Sequence, residues 1–292
     1  MTARGREDGF LLIAALWLLA ALAGFASVFA VYASTSVVSA RVGGDRLEAE
    51  ALIRSALELA ALRLQGRSAE EPRSVGAFAF ALGGGSAETS FRSEGARIDV
   101  NFADKKLLAG LFVALGARLD AAQTYADRIA GWREKPGPGR NAEADLYKDA
   151  GLDYAPRQGP FQTTDELRFV SGLPPDLVEA ALPFLTVFNG TAKIDVFAAS
   201  PPVLRALPNL APDVAATILQ RRAALDPKAV RALLGRAADY VSFDPFKSAR
   251  AEIAVRTASG RRLRAEVILL LPENDPKQPY RVLSWRDDFE GA

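Results

Sequence analysis

The sequence predicts an α+β fold in which a long N-terminal helix precedes an antiparallel sheet interrupted by a large all-helical insertion. Three observations support this prediction: an uncharged, mainly apolar run at 10–40, strand-like runs at 78–102 and 249–285, and a helical pattern between them. A helical block between two groups of strands indicates one sheet domain, whose halves pair across an insertion.

Composition excludes several kinds of chemistry. The 292 residues are 49% hydrophobic, include no Cys and no His, and carry a formal net charge of +1. Ser–His and Cys–His nucleophile pairs are therefore impossible, and no disulfide framework exists. The near-neutral charge also argues against a protein built mainly to bind nucleic acid. We expect no enzyme activity.

The apolar run begins at Phe10 and is long enough to cross a membrane. Its 24 most apolar residues, 10–33, would form a helix of ~36 Å, compared with a hydrocarbon core of ~30 Å. Arg4 and Arg6 precede the run and favour a cytoplasmic N-terminus, with the rest of the chain on the far side.

Two processing routes remain open for this segment. Val31-Tyr32-Ala33 fits ordinary signal-peptide cleavage, which would remove the helix. Alternatively, Gly9 directly before Phe10 resembles a type IV prepilin signal, in which cleavage after the Gly leaves the helix attached. In that case the fifth mature position is Ala14, where filament-forming pilins usually carry Glu.

A helical stripe follows the apolar run. Small and apolar residues recur at helical spacing, and we predict that they form an assembly face for neighbouring subunits. The stripe comprises Ala49, Leu52, Ile53 and Ala56.

Short strands are predicted on both sides of the insertion. We expect Thr89–Arg92 and Arg97–Phe102 to form a hairpin around residues 93–96, and residues 257–260 to form a second turn. Between the two groups, residues 165–182 and 202–219 repeat each other at an offset of 37. Each repeat reads as helix, tight turn and Pro-initiated helix.

Taken together, these residues resemble the minor pseudopilin K family of type II secretion systems, also called general secretion pathway protein K. The leader ending Gly9-Phe10, Trp17 and Ala14 carry the resemblance at the N-terminus. It continues through GPFQTTDELRFVSGL, ALPFLTVFNGTAKIDVFAASPPVLRALPNL and PYRVLSWRDDF, and so covers essentially the whole chain.

The resemblance implies a pseudopilin fold and a non-catalytic role at the tip of a periplasmic pseudopilus, anchored in the bacterial inner membrane. It implies minor pseudopilins I and J and other pseudopilus subunits as partners. Prepilin peptidase would cleave between Gly9 and Phe10, and Phe10 would be N-methylated. The expected division is a leader at 1–9, a transmembrane and assembly helix at 10–66, sheet at 67–102, a helical insertion at 103–240 and sheet at 241–292.

The sequence leaves two other classes of function open. The repeats resemble helix-hairpin-helix modules, which would make the chain a membrane-anchored DNA-binding or uptake receptor. However, their turns read Gly172-Leu173-Pro174 and Asn209-Leu210-Ala211, so they lack the Gly-hydrophobic-Gly pattern that grips a phosphate. An anchored hydrolase is the third class, and the absence of His and Cys argues against it.

Carboxylates near the Pro/Gly-rich loop at 134–161 are candidate calcium ligands, since some members of the family bind calcium and Ca²⁺ prefers several oxygens on an irregular segment. These candidates are Glu134, Glu143, Asp145 and Asp149. The family's Asp-rich stretch after Trp132 is replaced here by Arg133-Glu134-Lys135. A solvated loop is the simpler interpretation, so no cofactor is expected.

Overall fold

The computed structural model describes residues 7–65, 74–135, 137, 142–272 and 278–288. Most of the predicted leader and the last four residues lie outside these ranges. Helix α1 spans Glu7–Gln65, which is 59 residues and about 90 Å. The predicted membrane segment and the stripe at 49–56 therefore belong to one continuous helix.

A five-stranded antiparallel sheet follows α1. In their order across the sheet, its strands are β1 Val75–Leu82, β2 Gly85–Ser93, β5 Ser248–Arg256, β6 Arg262–Leu270 and β7 Arg281–Asp288. Pairing of β2 with β5 joins the two halves of the sheet, with Ser93 opposite Ala249. The predicted sheet with two halves paired across an insertion is therefore present.

One face of the sheet packs against α1. The apolar sides of β2, β5 and β6 face the helix, and their core residues lie on one side of each strand because side chains alternate along a strand. On β5 the buried residues are Ala249, Ala251, Ile253 and Val255, and the exposed Glu252 and Ala254 lie between them. This helix-on-sheet unit has its own hydrophobic core, separate from that of the insertion.

The hairpin predicted around 93–96 is wrong. Strand β2 pairs instead with β1 through a turn at Gly83 and Gly84, both with positive φ. Within the predicted strand 97–102, Ile98–Asp99 (β3) is the part that forms a strand, and it pairs in parallel with β4, Leu185–Thr186. The apolar residues Ile98 and Val100 alternate with polar ones, which is compatible with packing on the sheet or on the insertion. The sequence pattern therefore could not show which of the two cores this segment joins.

The insertion begins after Ser93 and ends before Ser248, earlier and later than the predicted 103 and 240. Its described residues include seven α-helices: α2 Lys105–Ala114, α3 Leu119–Arg133, α4 Ala142–Asp149, α5 Pro175–Ala181, α6 Pro201–Arg205, α7 Pro212–Arg221 and α8 Pro227–Leu234. Ile98, Val100 and Val241 are buried in the same core as these helices. The wider limits therefore follow from which core each residue enters.

The two repeats have the same construction. A short helical segment precedes each turn, and α5 and α7 begin at Pro175 and Pro212. The turns place Gly172 and Asn209, 37 residues apart, at positive φ (83° and 62°). Asp176 and Asp213 lie in the first turns of α5 and α7, where a carboxylate favours the helix dipole.

The loop predicted at 134–161 contains helix α4. Its Tyr147 is fully buried, and its hydroxyl oxygen accepts a hydrogen bond from Ser171 N at 3.0 Å. Its ring contacts those of Trp132 and Tyr154. This eight-residue helix is therefore stabilised by tertiary packing, which its local sequence does not reveal.

The insertion is attached at the end of the sheet farthest from the apolar segment. Ala258, in the β5–β6 turn, donates its N–H to Glu48 Oε1 at 2.9 Å, near the start of the packed part of α1. Tyr280, just before β7, donates its hydroxyl to Glu58, ten residues further along α1. Because β2 runs for nine residues from the first end to the second, its end at Ser93 lies about 26 Å from its start.

Candidate functional site: the anchor helix and the junction with the insertion

The first part of α1 has the properties of a membrane span. Residues Phe10–Tyr32, 23 in all, have a mean hydropathy of 2.4 and none of the window is buried by the rest of the protein. The span lies next to the N-terminus and is continuous with the helix that packs on the sheet. Length and apolarity therefore fit a single membrane anchor.

The predicted processing residues lie at the start of this span. Gly9 and Phe10 are within the helical backbone of α1, and the Phe10 side chain is 75% exposed. Ala14 is also exposed and introduces no charge into the span. The structure places these residues together on the anchor, where a retained helix would begin.

The predicted assembly stripe is buried within this chain, whereas we expected it to face a neighbouring subunit. Ala49, Leu52, Ile53 and Ala56 are at most 1% exposed, because they form the centre of the core between α1 and the sheet of the same chain. They are therefore not a free surface for a partner. Helical spacing predicted their burial correctly, but it could not show that the covering surface is intramolecular.

The outward side of α1 carries apolar residues that the sequence analysis did not select. Leu47 and Leu62 are 69% and 66% exposed, and Leu59 is at the edge of exposure. The same helix presents Glu58 towards Tyr280 and Gln65 towards Pro279. Any helix-mediated contact outside the membrane must use this outward side rather than the buried stripe.

A buried ionic network joins the sheet to the insertion. Glu94, 1% exposed, accepts a hydrogen bond from Arg250 Nε at 2.7 Å and another from the Thr186 hydroxyl. Arg250 also forms an ion pair with Glu266 on the neighbouring strand. Burial lowers the pKa of Arg250, but the two glutamates outweigh this effect and the pKa is raised. Neither Glu94 nor Arg250 could be recognised by spacing, since they are 156 residues apart.

A second buried carboxylate, Asp195, lies at the same junction. One carboxylate oxygen of Asp195 accepts a hydrogen bond from the backbone N–H of Phe197 at 3.0 Å. The backbone N–H of Asp195 donates to the carbonyl oxygen of Gly95 at 2.7 Å. Burial raises the pKa of Asp195, while the hydroxyls of Ser74 and Ser93 and nearby backbone N–H groups lower it in part. Asp195 therefore connects the middle of the insertion to the residues that directly follow β2, at an electrostatic cost.

The four calcium candidates do not form a cation site. Among the described residues, no group of three or more acidic side chains is placed to hold a metal ion. Glu143 forms an ion pair with Arg128 at 3.1 Å, and burial raises its pKa. Glu134, Asp145 and Asp149 are exposed.

The arginines near the second repeat are partly engaged within the chain. Arg222 donates to the carbonyl oxygens of Val196 and Ala199 at 3.1 and 2.6 Å. Arg231 lies over the ring of Phe243, 4.6 Å from its centroid. These contacts connect parts of the insertion and engage the side chains of both arginines within the chain.

Known proteins are similar to this chain in sequence over one segment and in fold over most of its length. Residues 90–190, from β2 through the first part of the insertion, match the family model for type II secretion system protein K. Comparison with the curated proteins finds no match. A chain from the crystal structure of the GspK-GspI-GspJ complex of the enterotoxigenic Escherichia coli type 2 secretion system has the same fold. The TM-score is 0.64 at 15% identity, covering 87% of this chain and 99% of that chain.

The fold is therefore the α+β pseudopilin fold, in which a long N-terminal helix packs on an antiparallel sheet. The matched segment 90–190 includes the start of the large insertion and is similar to type II secretion system protein K.

Proposed function

We propose that this chain caps the tip of the type II secretion pseudopilus and is needed for its initiation and for protein export across the outer membrane. The observation that carries the proposal is the position of the insertion. Residues 94–247 leave the sheet at Ser93 and return at Ser248, at the end of the sheet away from the membrane segment. A domain of this size beyond the sheet obstructs the place where a further subunit would be added.

Ala14 supports the same role. In a pilin filament the fifth-position carboxylate is expected to neutralise the N-terminus of a neighbouring subunit. A tip subunit has no subunit above it and does not need this carboxylate.

The proposed partners are the minor pseudopilins I and J, together with other pseudopilus subunits. The similar solved chain comes from a complex that contains GspI and GspJ. Copurification of the full chain from native membranes should recover two other pilin-like proteins. Recovery of the chain alone under conditions that preserve other membrane complexes would count against the proposal.

The proposed location is the inner membrane, with a cytoplasmic N-terminus and a periplasmic domain. Prepilin peptidase would cleave between Gly9 and Phe10 and methylate Phe10, because the apolar helix must remain attached to serve as an anchor. N-terminal sequencing of the mature protein should begin at Phe10. A start at Ser34 would indicate ordinary signal-peptide cleavage. Replacing Gly9 with a bulky residue should leave the leader attached and prevent assembly.

A further inference from the structure

Two clefts lie along the seam between the outer face of the sheet and the insertion. The first has a volume of about 210 Å³ and the second of about 290 Å³. Both are lined by Arg97 and Arg250, which come from the segment after β2 and from β5. The seam is therefore a solvent-accessible recess with two guanidinium groups at its centre.

The two arginines differ in their partners. Arg250 is held by Glu94 and Glu266 on opposite sides. Arg97, by contrast, has no carboxylate within 4.0 Å among the residues that the structure describes. Burial lowers the pKa of Arg97 and the charge of Arg250 lowers it further, while more distant glutamates compensate only in part. A half-buried guanidinium without an ion-pair partner is costly.

The first cleft contains other groups suited to an anion. Ser200 lines it, and its buried hydroxyl has no hydrogen-bond partner within the described part of the chain. Arg92 lies directly opposite Arg250 on the neighbouring strand, and like charges in such a pair repel. The lining includes three arginines but only two glutamates.

The walls of this cleft also limit the kind of anion. Val75, Pro183 and Phe184 line it beside the charged groups. An apolar wall next to a guanidinium suits a carboxylate on a hydrocarbon stem better than a fully hydrated inorganic ion. A planar carboxylate also matches the fork of an arginine side chain.

We propose that Arg97 binds the carboxylate of a Glu or Asp side chain in this cleft, and that this side chain belongs to a partner polypeptide. The carboxylate accepts hydrogen bonds from Arg97, and the Ser200 hydroxyl supplies a further donor. Binding there places the partner against both the sheet and the insertion. The proposal concerns a peptide-binding site and does not depend on the role at the pseudopilus tip.

The test uses the full chain in detergent and two blocked peptides, acetyl-Gly-Glu-Gly-amide and acetyl-Gly-Gln-Gly-amide, which differ by one carboxylate. The glutamyl peptide should raise the thermal unfolding midpoint in a saturable manner, whereas the glutaminyl peptide should not. Arg97→Gln should weaken the response at least about tenfold, since it removes a charged hydrogen bond. Arg256→Gln is the matched control, because Arg256 is an exposed arginine on the same face of β5 as Arg250 and does not line either cleft. It should respond like the unmodified protein.

Three results would overturn the proposal. The first is an equal response in Arg97→Gln, and the second is an Arg97-dependent response to inorganic phosphate but not to the glutamyl peptide. The third concerns Glu70 and Glu71, which precede β1 in the sequence and are an alternative source of the carboxylate. A response seen only after both are changed to Gln would assign the site to this chain's own segment.

Discussion

At the scale of single residues, the contact between sheet and insertion depends on buried ionised groups. Glu94 is the first residue of the insertion, directly after β2, and Asp195 lies further along it. Glu94 meets a guanidinium, whereas Asp195 accepts a backbone N–H at one oxygen and has no partner for the other among the described residues. The unfavourable burial of Asp195 should therefore make the stability of the protein depend on pH.

We predict that Asp195→Asn changes the dependence of stability on pH. Burial raises the pKa of Asp195 in the folded protein above the ordinary value of ~3.9. The folded state then binds more protons than the unfolded state between these two values, so stability falls as the pH rises through the interval. Asn removes this loss, and its stabilising effect relative to Asp should be larger at pH 8 than at pH 5.

Urea unfolding of the two proteins at both pH values measures the difference. Asp244→Asn, at an exposed position, is the control and should show no comparable change with pH. If Asp195→Asn changes the free energy of unfolding by the same amount at pH 5 and at pH 8, Asp195 is not the source of the pH dependence and the prediction is wrong.

The stripe on α1 gives a second prediction at this scale. Ile53→Asp should destabilise the sheet domain by several kcal/mol, because it buries an unpaired carboxylate in the core between α1 and the sheet. Leu62→Asp, on the outward side of the same helix, should change the stability by ~0.5 kcal/mol or less. Chemical unfolding of the isolated full chain measures both. An equal loss from the two changes would show that the face assignment is wrong.

The sequence predicted the burial of this stripe but assigned it to a partner. Small and apolar residues at helical spacing indicate a covered face, and a covered face forms equally well within a chain or between chains. Glu94, Arg250 and Asp195 could not be predicted, because their partners are distant in sequence and their pairing depends on the finished fold.

At the scale of elements, strand alternation and the internal repeat were the most informative signals. They predicted the strands on both sides of the turn at 257–260, which are β5 and β6, as well as the two Pro-initiated helices α5 and α7. The segment 97–102 was assigned to the wrong sheet, and helix α4 was taken for a loop. In both cases tertiary contacts with the insertion core decide the conformation, through Ile98 and Tyr147.

We predict that the insertion folds without the sheet when excised with its observed limits. Fragment 94–247 contains all the residues of the insertion core, including Ile98, Val100 and Val241. Fragment 103–240 lacks these three residues, so it should be less stable by ~2–5 kcal/mol or more, the cost of losing even one large buried side chain. Thermal unfolding followed by circular dichroism compares the two. Equal midpoints, or no cooperative transition in 94–247, would contradict this division of the chain.

At the scale of the whole molecule, α1 connects three parts in a fixed order. The apolar span comes first, then the helix-on-sheet unit, and the insertion is attached at the far end of the sheet. The order follows from the direction of α1 and the register of β2 with β5. The sequence predicted the order along the chain, whereas the end at which the insertion is attached required the three-dimensional pairing.

The position of the insertion on assembled pseudopili tests the central proposal most directly. Gold-labelled antibodies against residues 94–247, applied to pseudopili from cells expressing the full chain, show where the subunit lies by electron microscopy. A subunit that caps the filament should be labelled at one end only, at about one site per filament, because the insertion obstructs addition of a further subunit. Labels distributed along the filament would contradict the proposal.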